Sequence, residues 1–215
     1  MIKAVLFDLD GTLTDSDKVH FQVYQDIFAE HGISLDKALN KQKISGRQNA
    51  AIMADFFPTL SVAEGEAFSI EKEATFRQQA KDLLTPVPGL MKLLARIEAK
   101  GLSAAVVTNA PTENAFFMLD TLNLRDRFDP IIIADDLPKG KPDPLPYQTA
   151  LDQLEISPEE AIVFEDSSAG VRAAVAAGIF TLGVMTTHSG EALTQLGAKR
   201  AIADFTDPFI QTLLD

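Results

Sequence analysis

The sequence contains no cysteine, and positively charged residues are few. Without cysteine, neither a disulfide framework nor a thiolate metal site can form, and the redox compartment cannot be inferred. Lys and Arg number 19 against 31 Asp and Glu, which gives a formal net charge of −12. Because nucleic acid and anionic membrane surfaces attract a positive field, this balance predicts no nucleic-acid partner and no membrane partner. An anionic small substrate would need cations gathered locally at its site.

Long hydrophobic runs are absent as well. No apolar stretch approaches the length that spans a membrane, and Met1 is followed by a predicted strand rather than by a signal segment. We therefore expect a cytoplasmic location. With 215 residues, of which 46% are hydrophobic, the chain can bury a full core as one large domain or as a domain that carries an insertion.

Short apolar segments alternate with helical patterns over most of the chain. The first segment is residues 4–7, and the others follow residue 86. These later segments are residues 102–107, 130–134, 161–164, 179–184 and 200–203. Continuous apolar runs are typical of parallel strands buried on both faces, and the intervening segments are long enough for crossover helices. The pattern predicts an α/β fold with a parallel sheet.

Residues 15–84 differ from the rest because they contain no convincing strand. Apolar residues from Val19 onward recur at helical spacing, and three further helical patterns follow. A proline-containing segment, residues 85–89, ends this region and is typical of a stiff linker. We interpret residues 15–84 as a helical insertion, and residues 1–14 and 85–215 as the α/β core.

Two carboxylates, Asp8 and Asp10, follow the first predicted strand, and Gly11 and Thr12 come next. Because side chains alternate along a strand, both carboxylates project to one side of the sheet. Such a pair suits phosphate chemistry with a divalent metal, since one carboxylate can attack while the other moves a proton. Taken alone, the motif also fits an exposed acidic turn.

Polar residues follow the next predicted strands too. Ligands of open α/β sheets bind beyond the carboxyl ends of the strands, so these positions are candidates for a site. Thr108 and Asn109 can bind phosphoryl oxygens without adding charge, although both residue types are also common in turns. Lys141, which precedes Pro142, can neutralise a carboxylate and a phosphoryl group, whereas Lys139 fits an ordinary solvated lysine.

Glu165 and Asp166 follow the fourth run. Consecutive carboxylates are costly to bring close to Asp8 unless a cation binds among them. Magnesium prefers oxygen ligands and keeps several waters, which matches a site with two or three carboxylates. These residues therefore predict a magnesium site at the strand ends.

These four segments, in this order, resemble the four signature motifs of the haloacid dehalogenase-like hydrolase superfamily. The resemblance covers essentially the whole chain. It includes the helical insertion after the first motif, which is similar to the cap of the branch that contains β-phosphoglucomutase and sugar-phosphate phosphatases. The resemblance implies a doubly wound parallel sheet with a Rossmann-like core and an inserted α-helical cap.

The resemblance also implies roles for the core residues. Asp8 would be the nucleophile that forms an aspartyl-phosphate, and Asp10 the general acid and then the general base. Thr108 and the backbone at Asn109 would bind the transferring phosphoryl group. Lys141 would stabilise its charge.

The same resemblance implies Mg²⁺ as the cofactor. Its ligands would be the Asp8 carboxylate, the Asp10 main-chain carbonyl and Asp166. Glu165 would lie nearby or act through water.

Three cap residues lie where relatives of the β-phosphoglucomutase type carry residues that touch substrate or the acid–base aspartate. They are His20, Arg47 and Lys72. Each has an alternative interpretation, because His20 can simply pack in the first cap helix and the other two can be solvated helix charges. For Lys72 this alternative is supported by Glu71 and Glu73, which are typical of an exposed charged surface.

The resemblance implies a magnesium-dependent phosphatase acting on a small phosphorylated metabolite, with a sugar phosphate as the expected substrate. Mutase-type sequences usually carry a lysine after the second motif that holds the substrate's other phosphate, and this chain has Pro111 there. We therefore predict hydrolysis, with a phosphosugar mutase as the alternative.

An alternative from another class is a receiver-like domain that accepts a phosphoryl group without turnover. Such domains also combine a doubly wound sheet with an acceptor aspartate, a hydroxyl residue and a lysine, so the fold alone cannot separate the two. The position of Asp8 on the first strand and the long helical insertion oppose this alternative. We expect a monomer or a weak dimer.

Overall fold

A parallel β-sheet forms the centre of the protein, which is described by a computed structural model for residues 1–45 and 47–214. The strands are β1 (Ala4–Phe7), β2 (Ser103–Thr108), β3 (Ile131–Ile133), β4 (Ala161–Glu165), β5 (Phe180–Val184) and β6 (Arg200–Ile202). Within these described residues they form one six-stranded sheet in the order β3-β2-β1-β4-β5-β6. All neighbouring pairs are parallel.

The α-helices connect and cover these strands. They are α1 (Asp17–Glu30), α2 (Lys37–Lys43), α3 (Asn49–Phe56), α4 (Val62–Ala80), α5 (Leu90–Ala99), α6 (Thr112–Thr121), α7 (Leu145–Leu154), α8 (Ser168–Ala176), α9 (Gly190–Gln195) and α10 (Phe209–Leu213). Over the part of the chain that the structure describes, none of them has the length and apolar character needed to cross a membrane.

Strand β1 is buried on both faces, which explains its continuous apolar sequence. Ala4 and Leu6 belong to the apolar cluster on one side of the sheet, and Val5 and Phe7 belong to the cluster on the other side. All four are fully buried because β2 and β4 flank the strand and helices cover both faces. The ring of Phe7 stacks on that of Phe164 with centroids 5.3 Å apart.

The strand order defines where a ligand can bind. The chain runs outward from β1 through β2 to β3 and then returns to β4 on the other side of β1. The connections therefore leave β1 and β4 in opposite directions, which opens a crevice at the carboxyl ends of these two strands. The predicted fold class, a doubly wound parallel sheet with flanking helices, is confirmed.

Helices α1 to α4 occupy the region interpreted as a cap. They surround a small apolar cluster that includes Tyr24, Phe28 and Ile52. The two chain connections to this region lie side by side, because the Thr14 hydroxyl donates to the Thr85 carbonyl at 2.9 Å. The division at residues 15–84 stays a prediction, with which this placement of the helices agrees.

Four predicted strands end one residue away from the observed carboxyl ends: β3 and β6 end one residue earlier, and β2 and β4 one residue later. Thr108 and Glu165, expected just beyond strands, are the last residues of β2 and β4. Thr108 pairs with Ile133 and Glu165 pairs with Gly183, so each strand continues one residue into the polar sequence. Their side chains are therefore fixed by the sheet rather than by a loop.

Candidate active site

Acidic and basic side chains from three strand ends meet beyond the sheet. Asp8 follows β1, Lys141 lies in the connection after β3, and Glu165 ends β4. The Lys141 Nζ donates to Asp8 Oδ1 at 2.7 Å and to Glu165 Oε1 at 2.5 Å. Asp166 is next to them, and one carboxylate oxygen each of Asp8, Glu165 and Asp166 lie within 4.8 Å of one another. The topology thus gathers one ammonium and three carboxylates that are distant in sequence.

The position of Lys141 is held by further hydrogen bonds. Its Nζ also donates to the Val107 carbonyl at 2.7 Å. Its backbone N–H donates to Asn109 Oδ1 at 3.0 Å, and Asn109 Nδ2 donates to the Lys141 carbonyl at 3.1 Å. The Asn109 side chain, predicted to bind substrate, therefore fixes the backbone of Lys141. The hydroxyl of Thr108 accepts from the Ala110 N–H at 2.9 Å, so its own hydrogen can be donated into the cavity.

Glu165 faces Lys141 rather than open space. It is fully buried, and its Oε1 accepts from Lys141 and from the Tyr147 hydroxyl at 2.8 Å. Its Oε2 accepts from the Ser167 hydroxyl at 3.2 Å. A Cβ at Gly170 would lie 1.8 Å from Glu165 Oε1, so only glycine fits there. These contacts make Glu165 a positioning residue for Lys141.

The electrostatics of this cluster favour an additional cation. Burial and the charge of Glu165 raise the pKa of Asp8 to about 7, although Lys141 opposes this shift. Burial and the charge of Asp8 raise the pKa of Asp166 well above its ordinary value. Burial alone would lower the pKa of Lys141, but its two carboxylate partners hold it above the ordinary value. One ammonium therefore does not balance three buried carboxylates, and a divalent ion would favour the ionised forms of Asp8 and Asp166.

The residues present fit a hard cation such as Mg²⁺. Asp166 is held by the hydroxyl of Thr12, 3.3 Å from its Oδ1, and by that of Thr187, 2.6 Å from its Oδ2. Gly11 has φ +76°, and a Cβ there would lie 2.1 Å from Asp166 Oδ2. Glycine thus lets the backbone after β1 approach the carboxylate closely. The available donors are oxygens, as this ion requires.

Asp10 is bound by side chains from the start of the cap. Its Oδ1 accepts from the Ser16 hydroxyl at 2.5 Å and lies 3.2 Å from His20 Nε2. The Lys72 Nζ is 2.9 Å from His20 Nδ1, and the imidazole stacks on Phe76 with centroids 3.8 Å apart. Because an ammonium can only donate, Nδ1 is the acceptor and Nε2 carries the hydrogen shared with Asp10. Burial alone would raise the pKa of Asp10, but His20 and Ser16 hold it below its ordinary value.

Lys72 and Glu73 are both buried, which corrects the alternative interpretation from the sequence. Only 3% of Lys72 and 5% of Glu73 is exposed, so neither belongs to a solvated surface. Glu73 Oε1 accepts from Lys72 at 2.8 Å and from Asn49 at 2.6 Å, and its Oε2 accepts from Asn114. The physical reason is the packing of α4 against α1 and α3, with α6 also in contact, which covers the side of α4 that carries these charges. Asn114, on α6, thereby connects the core to the cap.

Arg47 is directed to the cap rather than to the strand ends. Its guanidinium donates to the Asp55 carboxylate at 2.9 Å and to the carbonyls of Lys43 and Ala51 at 2.7 and 3.2 Å. The residue still lines the cavity. Its preceding residue, Gly46, lies outside the described residues. Arg47 thus has a clear structural role, and its predicted contact with substrate stays a prediction.

A cavity of about 90 Å³ connects these groups. Nine of the ten predicted site residues line it, and Glu165 lies behind its wall. Other polar lining residues were not predicted as site residues: they are Tyr24, Ser167, Asp17, Asn40, Ser45, Asn49, Glu73 and Asn114. No local sequence signal marks five of these as site residues, because only tertiary packing brings the cap over the strand ends. These five are Asn40, Ser45, Asn49, Glu73 and Asn114. Asp17 could have been suspected, since it lies on the same helix as His20, three residues earlier.

Comparison with known proteins places the chain in a family. The sequence model of the haloacid dehalogenase-like hydrolases matches residues 5–184, and the chain belongs to this family. It is 36% identical over 207 residues to a validoxylamine A 7'-phosphate phosphatase from Streptomyces hygroscopicus subsp. limoneus, with 96% of each chain covered. It is 30% identical over 201 residues to a phosphorylated carbohydrates phosphatase from Thermotoga maritima, with 92% of each covered.

Its fold is similar to that of a β-phosphoglucomutase from Clostridium difficile, with a TM-score of 0.87 at 25% identity. The alignment covers 100% of this chain and 97% of that structure. The resemblance inferred from the four motifs is therefore confirmed, as is the predicted enzyme class of phosphoric monoester hydrolases. Family membership also favours an enzyme over the receiver-like switch.

Replacing Gly11 by alanine tests the close approach of backbone and carboxylate. We expect Gly11→Ala to lower the free energy of unfolding by several kcal/mol, because Asp166 must move away from the new Cβ. Gly32→Ala is a matched control, since Gly32 has φ +71° but no atom within 4 Å of the added Cβ. That control loses only about 1 kcal/mol from backbone strain. Urea unfolding measures both, and equal losses would contradict the steric account.

Proposed function

We propose that this protein is a Mg²⁺-dependent phosphatase that hydrolyses a small phosphorylated metabolite through a phosphoryl group carried on Asp8. The observation that carries the proposal is the contact between Asp8 and Lys141 in a cavity that Asp10 and Asp166 also line. Two relatives of the chain, both phosphatases of phosphorylated compounds, support it. The cytoplasmic location, the monomer or weak dimer and the lack of nucleic-acid and membrane partners stay predictions from the sequence.

In the first half of the reaction, Asp8 attacks phosphorus and the ester P–O bond breaks. Lys141 stabilises the charge on the phosphoryl oxygens, and the Thr108 hydroxyl can donate to one of them. Asp10 gives its proton to the leaving alkoxide. Asp10 acquires that proton when substrate binds, because a phosphate beside a buried carboxylate raises its pKa.

In the second half, Asp10 acts as the base. It takes a proton from water, whose oxygen attacks phosphorus, so the Asp8–phosphorus bond breaks and inorganic phosphate leaves. Ser16 and His20 favour the carboxylate form of Asp10 that this step needs. The surroundings of Asp10 therefore suit repeated turnover by hydrolysis.

The ion would be held by the carboxylates of Asp8 and Asp166 and by the main-chain carbonyl of Asp10. When bound, Mg²⁺ offsets the negative charge of the carboxylates and of the phosphate. Glu165 stays with Lys141 and acts through it.

The far side of the cavity suits a substrate with several hydroxyl groups, such as a sugar phosphate. Ser45 donates to Asp17 Oδ2 at 3.3 Å, and Asn40 Nδ2 donates to the Ser45 hydroxyl at 3.4 Å. Among the side chains that the structure describes, Asn40 Oδ1 is buried without a hydrogen-bond partner. A buried acceptor is costly to leave unpaired, so a substrate hydroxyl is a fitting donor.

The charges around the cavity favour hydrolysis over a mutase that reorients a bisphosphate. Of the cations lining it in residues 1–45 and 47–214, Lys141 binds Asp8, Lys72 binds His20 and Glu73, and Arg47 binds Asp55. Each is thus engaged by the protein. The Pro111 position, where mutase-type sequences carry a lysine, also lines the cavity. A second phosphate would therefore find little positive charge.

Access to the cavity requires the cap to move. We propose that residues 15–84 open and close as a unit about the paired connections at Thr14 and Thr85. These connections are joined by the Thr14 hydroxyl, which donates to the Thr85 carbonyl, and by the Val87 N–H, which donates to the Leu13 carbonyl at 2.9 Å. Closure excludes bulk water from the phosphorylated aspartate until Asp10 is aligned.

Removal of the nucleophile tests the covalent mechanism. Asp8→Asn should lower kcat by at least about 1,000-fold, because the amide cannot attack phosphorus. Phosphate release from a panel of sugar phosphates with Mg²⁺ measures this. Asp152→Asn, an exposed residue of α7, should match the parent enzyme. Retained turnover in Asp8→Asn would contradict the covalent mechanism. Interconversion of sugar 1- and 6-phosphates that depends on a bisphosphate primer and is faster than phosphate release would favour the mutase.

Charge repulsion in the metal-free protein gives a second prediction. Asp166→Asn removes a buried carboxylate beside Asp8, so in EDTA its Tm should exceed that of the parent protein by several degrees. Mg²⁺ should raise the Tm of the parent protein and have little effect on the variant. Thermal unfolding with EDTA and with Mg²⁺ measures both. An equal Mg²⁺ response in the two proteins would remove Asp166 from the ligand set.

The link from Glu73 to Asp10 gives a third prediction. Glu73→Gln removes the charge that keeps Lys72 protonated, so the pKa of Lys72 falls. As the pH rises, Lys72 then loses its proton, and with it the ammonium donor to His20, at a lower pH than in the parent protein. We expect kcat to fall about tenfold, with the alkaline limb of its pH profile shifted to lower pH and KM changed less. Glu71→Gln, exposed on the same helix, is the control. A changed KM with an unmoved pH profile would indicate a purely structural role.

A further inference from the structure

A groove of about 830 Å³ lies outside the active-site cavity, between α3, α4 and the N-terminal end of α6. Sites for small molecules usually enclose about 300–1,000 Å³. The groove therefore has the size of a ligand site, whereas the inner cavity of about 90 Å³ is far smaller. The inner cavity can enclose the phosphorylated ring of a substrate but little beyond it.

The groove and the cavity adjoin. Asn49, Glu73, Asn109 and Pro111 line both spaces, so single side chains form the boundary between them. A molecule whose phosphate lies at Asp8 therefore has the groove as its nearest large space.

The walls of the groove are mainly apolar. Met53 and Phe57 contribute from the side of α3, and Val62 and Ile70 from α4. Val62 is 81% exposed and Ile70 is 69% exposed. Large apolar side chains that gather in a concave surface mark a binding site more often than scattered ones do.

The charges on the groove limit what it can bind. Its acidic lining residues are Glu66, Glu73, Glu113 and Asp135. Arg77 is the positively charged residue among the groove-lining residues that the structure describes. It pairs with Glu113 at 2.8 Å and donates to Asn114 Oδ1 at 2.6 Å. A second phosphate or a carboxylate would meet net negative charge, so an uncharged body is favoured.

We infer that the groove binds the part of the substrate that leaves with the alcohol, and that the substrate is a phosphate monoester with a second, uncharged ring beyond the phosphorylated one. The inference rests on the proposed phosphatase function and specifies its substrate class. The polar boundary contacts the junction of the two rings, and the apolar walls pack against the outer ring.

Gly65 allows the groove to be filled without disturbing the cavity. It lies on α4, and an added Cβ would meet only the Met53 Cβ at 3.9 Å, which is an ordinary contact. Gly65→Phe therefore places a ring in the groove, and a helix interior tolerates this change well. Ala67→Phe is the matched control, because Ala67 is exposed on the same helix and does not line the groove. Ala54→Trp fills the groove from α3, the opposite wall.

The test measures binding by calorimetry in the Asp8→Asn background with Mg²⁺, for glucose 6-phosphate and for trehalose 6-phosphate. We expect the two-ring ester to bind at least tenfold more tightly. Gly65→Phe and Ala54→Trp should each weaken its binding at least tenfold while changing the Kd of the one-ring ester less than twofold, and Ala67→Phe should change neither.

Equal affinities for the two esters, or equal weakening of both by the groove variants, would overturn the inference. Failure of the proposed function would be seen separately. Phosphate release by Asp8→Asn, or a lack of phosphate release by the parent enzyme from every ester tested, would contradict the proposed chemistry at Asp8. In either case, the ratio of the two Kd values tests whether the groove binds the second ring.

Discussion

The ammonium of Lys141 between Asp8 and Glu165 is the interaction on which the site depends. It joins the end of β1, the connection after β3 and the end of β4 in one buried contact. Removing one partner of a buried ion pair typically costs about 3–5 kcal/mol because the other charge is left uncompensated. The backbone N–H of Asp8 also donates to the Phe164 carbonyl at 3.0 Å, so the sheet itself fixes the position of Asp8. The placement of Asp8, Lys141 and Glu165 is thus a property of the core.

The cap contributes through a different set of contacts. His20 connects Asp10 to Lys72, and Lys72 connects to Glu73, which Asn114 of the core also binds. A cap that moved away would separate His20 from Asp10 and Glu73 from Asn114 together. In the proposed closure, the donors that hold Asp10 as a carboxylate would arrive with the cap, so the protonation of Asp10 would depend on closure. The proposed motion would thus link water exclusion to the orientation of Asp10.

Much of the core was predictable because its constraints are local in sequence. A strand covered on both faces must be apolar throughout, so β1 and β4 are visible as runs, and the polar residues after them reach one edge. The inward orientation of Glu165 was not predictable, since neighbouring carboxylates in sequence carry no sign of which one meets a lysine from another loop. The burial of Glu73 was hidden for a related reason. Its helix α4 carries charges on the side that packs against α1, α3 and α6, and charges in a helix ordinarily indicate a solvent-exposed face.

The distribution of charge across the two spaces explains how one fold can combine common chemistry with a selective substrate site. Lys141 lies beside Asp8 at the inner cavity, where phosphorus would sit in the proposed reaction, while the outer groove is mainly apolar and has four acidic lining residues. A monoester can therefore enter in one orientation, with its phosphate inward and its uncharged body outward. If the groove binds the substrate as proposed, an ester with anionic groups at both ends would be disfavoured there, and release of phosphate would be favoured over return of a bisphosphate in the opposite orientation. Because the groove walls come from α3, α4 and α6, changes there would then alter the substrate without changing the strand ends.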